Sequence, residues 1–389
     1  MDPAAFKNAK SGRLVKTLNG AWAFVPSDPI TTIEYDDDLV LALSSADTAL
    51  SELAGLGRQI PNPHLLIAPY MRREALLSSR IEGTVASLAD VLEEEAGVPR
   101  STGVRDDVQE VLNYVDALEH GMERLGTLPL SKRLVRELHK RLMAGVRGQD
   151  KAPGKFRTTQ NWLGPSDSDV RSAVYVPPPP QEVENSLDSW EKFLHLRGKL
   201  PDLIQCAIMH EHFESIHPFL DGNGRIGRLL IPLFLKERGR LPVPLLYLSA
   251  YIERTKTKYY EYLQGIRTNG AIRDWLLYFL DGITIVSKDA IVQAGALVDL
   301  RETYRARVKN DARALVVVDS LFTNPYLVVS HAQELLQVSN PTARRTVRKL
   351  EDAGILRPLA RRASGRVFLA RDIFDVVERP AASKRPHRG

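Results

Sequence analysis

Between His217 and Arg228 the chain places a histidine, an aspartate, an asparagine, three glycines and two arginines within twelve residues, His-Pro-Phe-Leu-Asp-Gly-Asn-Gly-Arg-Ile-Gly-Arg. The imidazole of His217, titrating near neutrality, can take a proton from an attacking hydroxyl. Asp221 is a hard oxygen ligand, suited to a Mg²⁺ held jointly with phosphates. Arg225 and Arg228 lie three apart, on neighbouring positions of one helix face, and guanidinium groups bind phosphate oxygens bidentately. Gly222, Gly224 and Gly227 let backbone approach an anion closely. The apolar run that follows, Leu229 to Leu235, reads as a buried helix. The glycines therefore fall at a helix N-terminus, where N–H groups and the helix dipole attract phosphate. A dinucleotide-binding reading fails, because this glycine pattern does not follow a strand. His210-Glu211-His212 just upstream invites a zinc reading, but the spacing is not the H-E-x-x-H of two ligands on one helix face.

The stretch matches HPFx(D/E)GNGRxxR at every defined position and so resembles the active-site motif of the Fic family. The resemblance implies a protein adenylyltransferase that moves AMP from ATP to a Tyr, Ser or Thr hydroxyl. It implies His217 as general base, Asp221 as Mg²⁺ ligand and Gly222 to Gly224 as the anion-binding turn. Asn223 and Arg225 would hold the α- and β-phosphates, Arg228 the γ-phosphate, and Phe219 would anchor the loop in the core. Related Doc-type kinases carry lysine where this chain has Gly224 and lack the second arginine, so Arg228 favours AMP transfer over phosphorylation. Upstream, Ser78-x-x-x-Glu82-Gly83 is similar to the inhibitory pattern of some Fic proteins, in which the glutamate pairs with the second arginine, here Arg228. A carboxylate there would occupy the place of the γ-phosphate. In some relatives the same glutamate supports removal of AMP. A Tyr-Tyr-x-x-Leu like that of Fic domains points to Tyr259 or Tyr260 beside the nucleoside; Tyr at helical spacing is equally a core feature.

The elements that must position these residues read as mainly α, and the resemblance implies a Fic-fold helical bundle with a β-hairpin flap. At 389 residues the chain is long enough for several domains. The expected boundaries are an N-terminal arm and inhibitory helix region over 1–100, a catalytic domain over 101–290, a helical connector over 291–311, a winged helix-turn-helix domain over 312–379 and a disordered basic tail over 380–389. Residues 1–60 read as an extended arm, packed on the body, and then a helix. A helix ends near Glu82, with Gly83 as its stop signal. Helices are expected over 106–124 and 131–143, the second capped by Ser131. Two β-prone runs around Gly164-Pro165-Ser166-Asp167 suggest a hairpin; in the family this is the flap, 156–176, along which a target protein docks by β-augmentation. Helices over 271–287 and 298–311 follow the tyrosine-rich segment.

The C-terminal pattern, helix, turn, a second helix opened by Asn340-Pro341, then two β-prone runs, is that of a winged helix-turn-helix. Thr342, Arg344, Arg345 and Arg348 would face a DNA major groove, and Arg361, Arg362 and Arg366 would form a basic wing. Such modules also dock proteins or form homodimers. Residues 340–389 hold 13 Lys and Arg against 5 Asp and Glu, so the net charge of +5 belongs to this end. The second functional reading is thus a DNA-binding regulator whose Fic core senses nucleotide with little turnover. The single cysteine, Cys206, cannot form an internal disulfide. With no apolar leader expected, and no membrane span since even Leu241 to Ile252 is interrupted by prolines, a cytoplasmic protein is expected.

Overall fold

The computed structural model describes residues 1–389 apart from 7–8, 60–62, 99–104, 166, 360–365 and 379–389. The wing residues Arg361 and Arg362 and the tail from 380 lie outside the described residues. After a 3₁₀ turn at Pro3–Phe6 come β1 (Gly12–Lys16) and β2 (Trp22–Pro26). Helices follow: α1 (Asp37–Gln59), α2 (Pro63–Ile81), α3 (Leu88–Glu95), α4 (Arg105–Arg124), α5 (Lys132–Leu142), α6 (Pro180–Leu194), α7 (Asp202–Ile216), α8 (Asn223–Glu237), α9 (Ser249–Arg254), α10 (Lys256–Asn269) and α11 (Ile272–Arg307). The chain closes with α12 (Ala312–Leu321), β3 (Tyr326–Val328), α13 (Val329–Leu336), α14 (Asn340–Asp352), β4 (Arg357–Pro358), β5 (Val367–Leu369) and α15 (Arg371–Glu378). The protein is mostly helical, as its composition of long apolar-periodic runs dictates. It divides into two compact units: Met1–Ser51, Asn113–Leu241 and Tyr251–Thr284 form one, and Glu52–Leu112, Pro242–Ala250 and Ile285–Gly389 the other.

In the first unit α7 is the central element. Residues 203 to 216 are all buried, so the helix has no polar face to offer water. Its neighbours anchor it with aromatic side chains. Trp190 on α6 donates its indole N–H to the Met209 carbonyl, and Trp275 on α11 donates to that of Ala207, each at 3.0 Å. Both rings are fully buried, and truncating a core tryptophan costs about 3–5 kcal/mol. Ser131 caps α5 as expected, accepting from the Leu134 N–H.

The arm is not simply extended. β1 and β2 form an antiparallel hairpin, closed where Thr17 exchanges bonds with Ala21 through both backbone and hydroxyl. It packs on the flap: Met1, Phe6, Ala23 and Phe24 share a core cluster with Ala173, Tyr175 and Val176. Phe24 N–H also donates to the Val176 carbonyl at 2.9 Å. The flap hairpin itself is reduced to one antiparallel bridge, Leu163 with Tyr175, bonded both ways at 2.8 and 3.1 Å. Pro165 and Pro177 remove two of the donors a longer ladder needs.

The second unit holds α2. The helix stops as read, with Gly83 at φ +103°. Past the stop, Thr84 donates to Glu110 and the Val85 N–H to Asp107, both on α4. Arg72 on α2 bonds Glu95 on α3 through Nε and Nη2. Helix α2 also packs on α15, which Tyr304 holds by donating to Asp372 at 3.0 Å. Strands β3, β5 and β4 lie in that order in one antiparallel sheet. The two helices expected over 271–287 and 298–311 are one, α11, because nothing between them breaks the helix except Gly295. Helix α1 contains a stretch, Asp37–Arg58, long and apolar enough to cross a membrane by length and composition, where the sequence suggested no span. Leu39, Ala46, Leu50 and Leu53 on it are buried against protein.

Candidate active site

Helix α7 ends at His217, which adopts φ 48°, ψ 60° and donates its N–H to the Phe213 carbonyl. A non-glycine residue in this left-handed region costs about 1–2 kcal/mol and needs its surroundings to hold it. The imidazole is 14% exposed, with Nδ1 4.0 Å from Oε2 of buried Glu214, one turn back on α7. The chain then turns through Pro218 to Gly222 and enters α8, whose first intrahelical bond runs from Ile226 N–H to the Gly222 carbonyl. The histidine and the positive end of the α8 dipole thus meet across a five-residue turn.

Asp221 is the exposed acid of that turn. Its side chain is 42% accessible, Oδ1 accepts from the Gly222 N–H at 2.6 Å and lies 3.7 Å from Nη2 of Arg225. Arg225 is buried, with Nη2 also 3.7 Å from the Met143 sulfur, and Arg228 is buried one turn further along. Gly224 is half-buried. Gly222 has φ +75°, and a side chain there would meet the Met143 sulfur at 2.9 Å, so both conformation and space require glycine. Gly227 is closely packed for a different reason. A Cβ there would stand 2.2 Å from Oε1 of Glu214 and 3.3 Å from the His210 ring, so this glycine serves close packing of α8 on α7.

Two residues read as nucleotide contacts have other partners. The Asn223 side chain accepts from the Phe219 N–H at 2.8 Å and donates to the Phe219 carbonyl at 2.9 Å, bracing the turn from inside. Phe219 is fully buried, as expected of the loop's anchor. Tyr259 is buried, and its hydroxyl pairs with Nε2 of His210 at 2.9 Å. His210 Nδ1 faces the Gly227 carbonyl at 2.9 Å, which can only accept, so Nδ1 carries the proton and Nε2 accepts from Tyr259. Burial pushes the His210 imidazole down to about 4, keeping it neutral. Tyr260 has the exposed ring, 45% accessible. His210 and Tyr259 therefore support α8 from beneath, by way of Gly227.

Three supporting residues escaped the sequence reading. His139 on α5 stacks flat on Phe219, with centroids 3.7 Å apart and planes at 3°. Its Nδ1 accepts from the Gly154 N–H, so Nε2 is the protonated nitrogen and donates to the Asp221 carbonyl at 3.0 Å. Burial pushes it down to about 4. Arg157 and Asn161, from the start of the flap, donate to the carbonyls of Ile216, His217 and Phe219.

The inhibitory-pattern residues lie in the second unit. Ser78 is fully buried within α2, while Glu82 and Gly83 are exposed just beyond its end. Arg344, Arg345 and Arg348 are exposed on α14, with Thr342 half-buried, and Arg344 donates to the Asn340 side chain at 2.8 Å. The opposite face of α14 buries Ala343, Thr346, Val347 and Leu350.

A mostly helical protein with a histidine at one helix end and a glycine-rich, arginine-bearing start on the next has the layout of a phosphate-handling site. The Fic/DOC family N-terminal profile matches residues 40–123 and the Fic/DOC family profile residues 129–235. The chain belongs to the Fic/DOC family. It is 28% identical over 207 residues to the protein adenylyltransferase Fic of Drosophila grimshawi, covering 52% of this chain and 39% of that one. The namesake of Nematostella vectensis is 28% identical over 210 residues, covering 52% and 44%. A probable protein adenylyltransferase of Aquifex aeolicus is 38% identical over 87 residues, 22% of this chain and 27% of that one. The match thus spans less than half the length of these relatives. Among solved structures, a Fic family protein from Desulfovibrio desulfuricans superposes with a TM-score of 0.56 at 19% identity, over 88% of this chain and 98% of that one. A Fic-domain signaling protein from Bacteroides thetaiotaomicron gives 0.50 at 19%, over 66% and 95%. These last two establish a shared fold.

Proposed function

We propose that the protein transfers AMP from ATP to hydroxyl groups of target proteins and of itself. The observation that carries this is His217, held in a left-handed conformation at the end of α7, with the α8 N-terminus and its two arginines just across the turn. The target hydroxyl attacks the α-phosphate of ATP in line; the new O–Pα bond forms as the bond from Pα to the bridging oxygen breaks, and pyrophosphate leaves. The hydroxyl proton passes to the imidazole of His217. Arg225 and Arg228, with the α8 dipole, stabilise charge on the phosphates. The names of the curated relatives support this reading.

The donor set suits Mg²⁺. Asp221 offers one accessible carboxylate, and no group of three His, Cys, Asp or Glu side chains able to hold a metal occurs among the described residues. Mg²⁺ commonly takes one or two carboxylates and fills its remaining positions with phosphate and water. When bound it would neutralise phosphate charge.

Glu82 is the inhibitor in this reading: by the sequence pattern, its carboxylate competes with the γ-phosphate for Arg228. The second functional reading, a regulator that binds DNA, draws support from the exposed arginines of α14 and from the order of β3, α13, α14, β4 and β5, which is that of a winged helix-turn-helix. The two readings are compatible. The flap, 156–176, is the proposed docking edge for the target.

The test compares incorporation from α-labelled and γ-labelled ATP with Mg²⁺ in wild type, Glu82→Gly and Glu82→Gly/His217→Ala. Label from the α-position alone, strongest in Glu82→Gly and lost in the double variant, is expected. Label from the γ-position would make the protein a kinase and overturn the reading.

A further inference from the structure

We propose that Arg157, assisted by Asn161, is a positioning residue that sets the catalytic histidine by capturing that residue's own carbonyl. The inference rests on the reading of His217 as the base. Arg157 is 3% exposed. Its Nε donates to the His217 carbonyl at 2.9 Å, and Nη2 donates to the carbonyls of Pro178 at 2.6 Å and Ile216 at 3.3 Å. Its backbone N–H donates to the Pro218 carbonyl at 2.9 Å. Asn161 adds a second donor to the His217 carbonyl at 3.3 Å and one to Phe219 at 2.8 Å. Three successive carbonyls, those of Ile216, His217 and Pro218, thus converge on one residue.

The chemistry of that choice is informative. Among the described residues, every hydrogen-bond acceptor of the guanidinium is a backbone carbonyl, those of His217, Thr159, Pro178 and Ile216. Burial lowers its pKa to about 10, so it stays charged at neutral pH. A buried cation without an acid is costly, and a scaffold could be built with an apolar residue at less expense. The C-terminal carbonyls of α7, the negative end of its dipole, are the groups that offset the charge. The direction of the His217 carbonyl is set by ψ, here 60°. Holding that oxygen therefore selects the left-handed conformation over the ordinary ones, and with it the direction in which the imidazole leaves the backbone.

The same guanidinium binds Pro178, and Gln160 donates to the Pro177 carbonyl at 3.0 Å. Both prolines lie just past the flap, 156–176. Flap exit and catalytic turn share one cation, so displacement of the flap base is felt at His217.

The experiment uses the full chain as wild type, Arg157→Gln, Arg157→Lys, Asn161→Ala and Arg157→Gln/Asn161→Ala. It measures kcat and KM for transfer, equilibrium affinity for a non-hydrolysable ATP analogue, and the ¹³Cε1 resonance of His217, assigned by its loss in His217→Ala. Arg157→Gln is expected to lower kcat on the order of 100-fold with analogue affinity within about twofold, and to shift or broaden the His217 resonance alone. Arg157→Lys recovers part of kcat, and the double variant is slower than Arg157→Gln, because Asn161 still holds the His217 carbonyl when Arg157 does not. Parallel loss of kcat and affinity with changes across all histidine resonances would make Arg157 mere scaffold. An unmoved His217 resonance in Arg157→Gln would also overturn the proposal. If wild type transfers nothing, the AMP-transfer reading falls, while the His217 resonance still decides whether the clamp exists.

Discussion

Individual side chains at this site divide into those that stand at the mouth of the turn and those that hold the turn still, and the division does not follow residue type. His210 and His217 lie seven residues apart on the same helix and its cap, yet His210 spends both nitrogens on Gly227 and Tyr259 while His217 stands at the mouth of the turn. The burial of His210 and His212 has a consequence for stability. Burial pushes both down to about 4 from their ordinary 6.5. Between those values the unfolded chain takes up protons that the folded one refuses, so stability is intact above pH 6.5 and falls as pH drops towards about 4. Each histidine contributes a slope of about 1.4 kcal/mol per pH unit in that window. Among the described residues no group pairs with His212 Nε2, so His212→Phe is expected to flatten the fall by about that slope. Urea titrations at several pH values would show it, and an unchanged slope would refute the assignment.

At the scale of elements, the junction of α7 and α8 was legible because its chemistry is contiguous: the glycines, the acid and the arginines announce a helix N-terminus in one string. What could not be read was how the string is braced, since His139, Arg157 and Asn161 come from distant segments and act on backbone atoms. The core partners of Asn223 and Tyr259 were not legible for a related reason. An amide or a phenol that bonds core groups has the same letter as one that bonds a ligand. The packing of α8 on α7 gives a direct test. Gly227→Ala places a methyl against Glu214, and overpacking of this kind costs about 1–3 kcal/mol. Transfer is expected to fall more than roughly tenfold, since a small displacement of α8 moves both arginines. A variant with wild-type thermal midpoint and rate would show that α8 has room to spare.

Over the whole molecule, the positions of most helices followed from apolar periodicity and capping residues such as Ser131. The N-terminal hairpin did not, because the short runs 12–16 and 22–26 gain their identity from the flap residues they cover. Charge is distributed at this scale too. The exposed Arg344, Arg345 and Arg348 of α14 belong to the basic C-terminal end, and replacing all three by alanine is expected to weaken mobility shifts of genomic DNA fragments while leaving auto-labelling within about twofold. If DNA is bound, its affinity should fall steeply with salt, and the variant's slope should be shallower by about three contacts. Retention of equal affinity by the variant would move the basic end out of the regulator reading.

The chain passes from one compact unit to the other at 51–52, 112–113, 241–242, 250–251 and 284–285, and α2, in the second unit, packs on α15. On the ribosome, then, α2 is made nearly three hundred residues before the surface it rests on. Throughout that interval the helix that bears Ser78 and leads to Glu82 lacks its final support. A ribosome that stalls before residue 371 would release a chain already holding the complete His217–Arg228 string, but whose second unit is left unfinished.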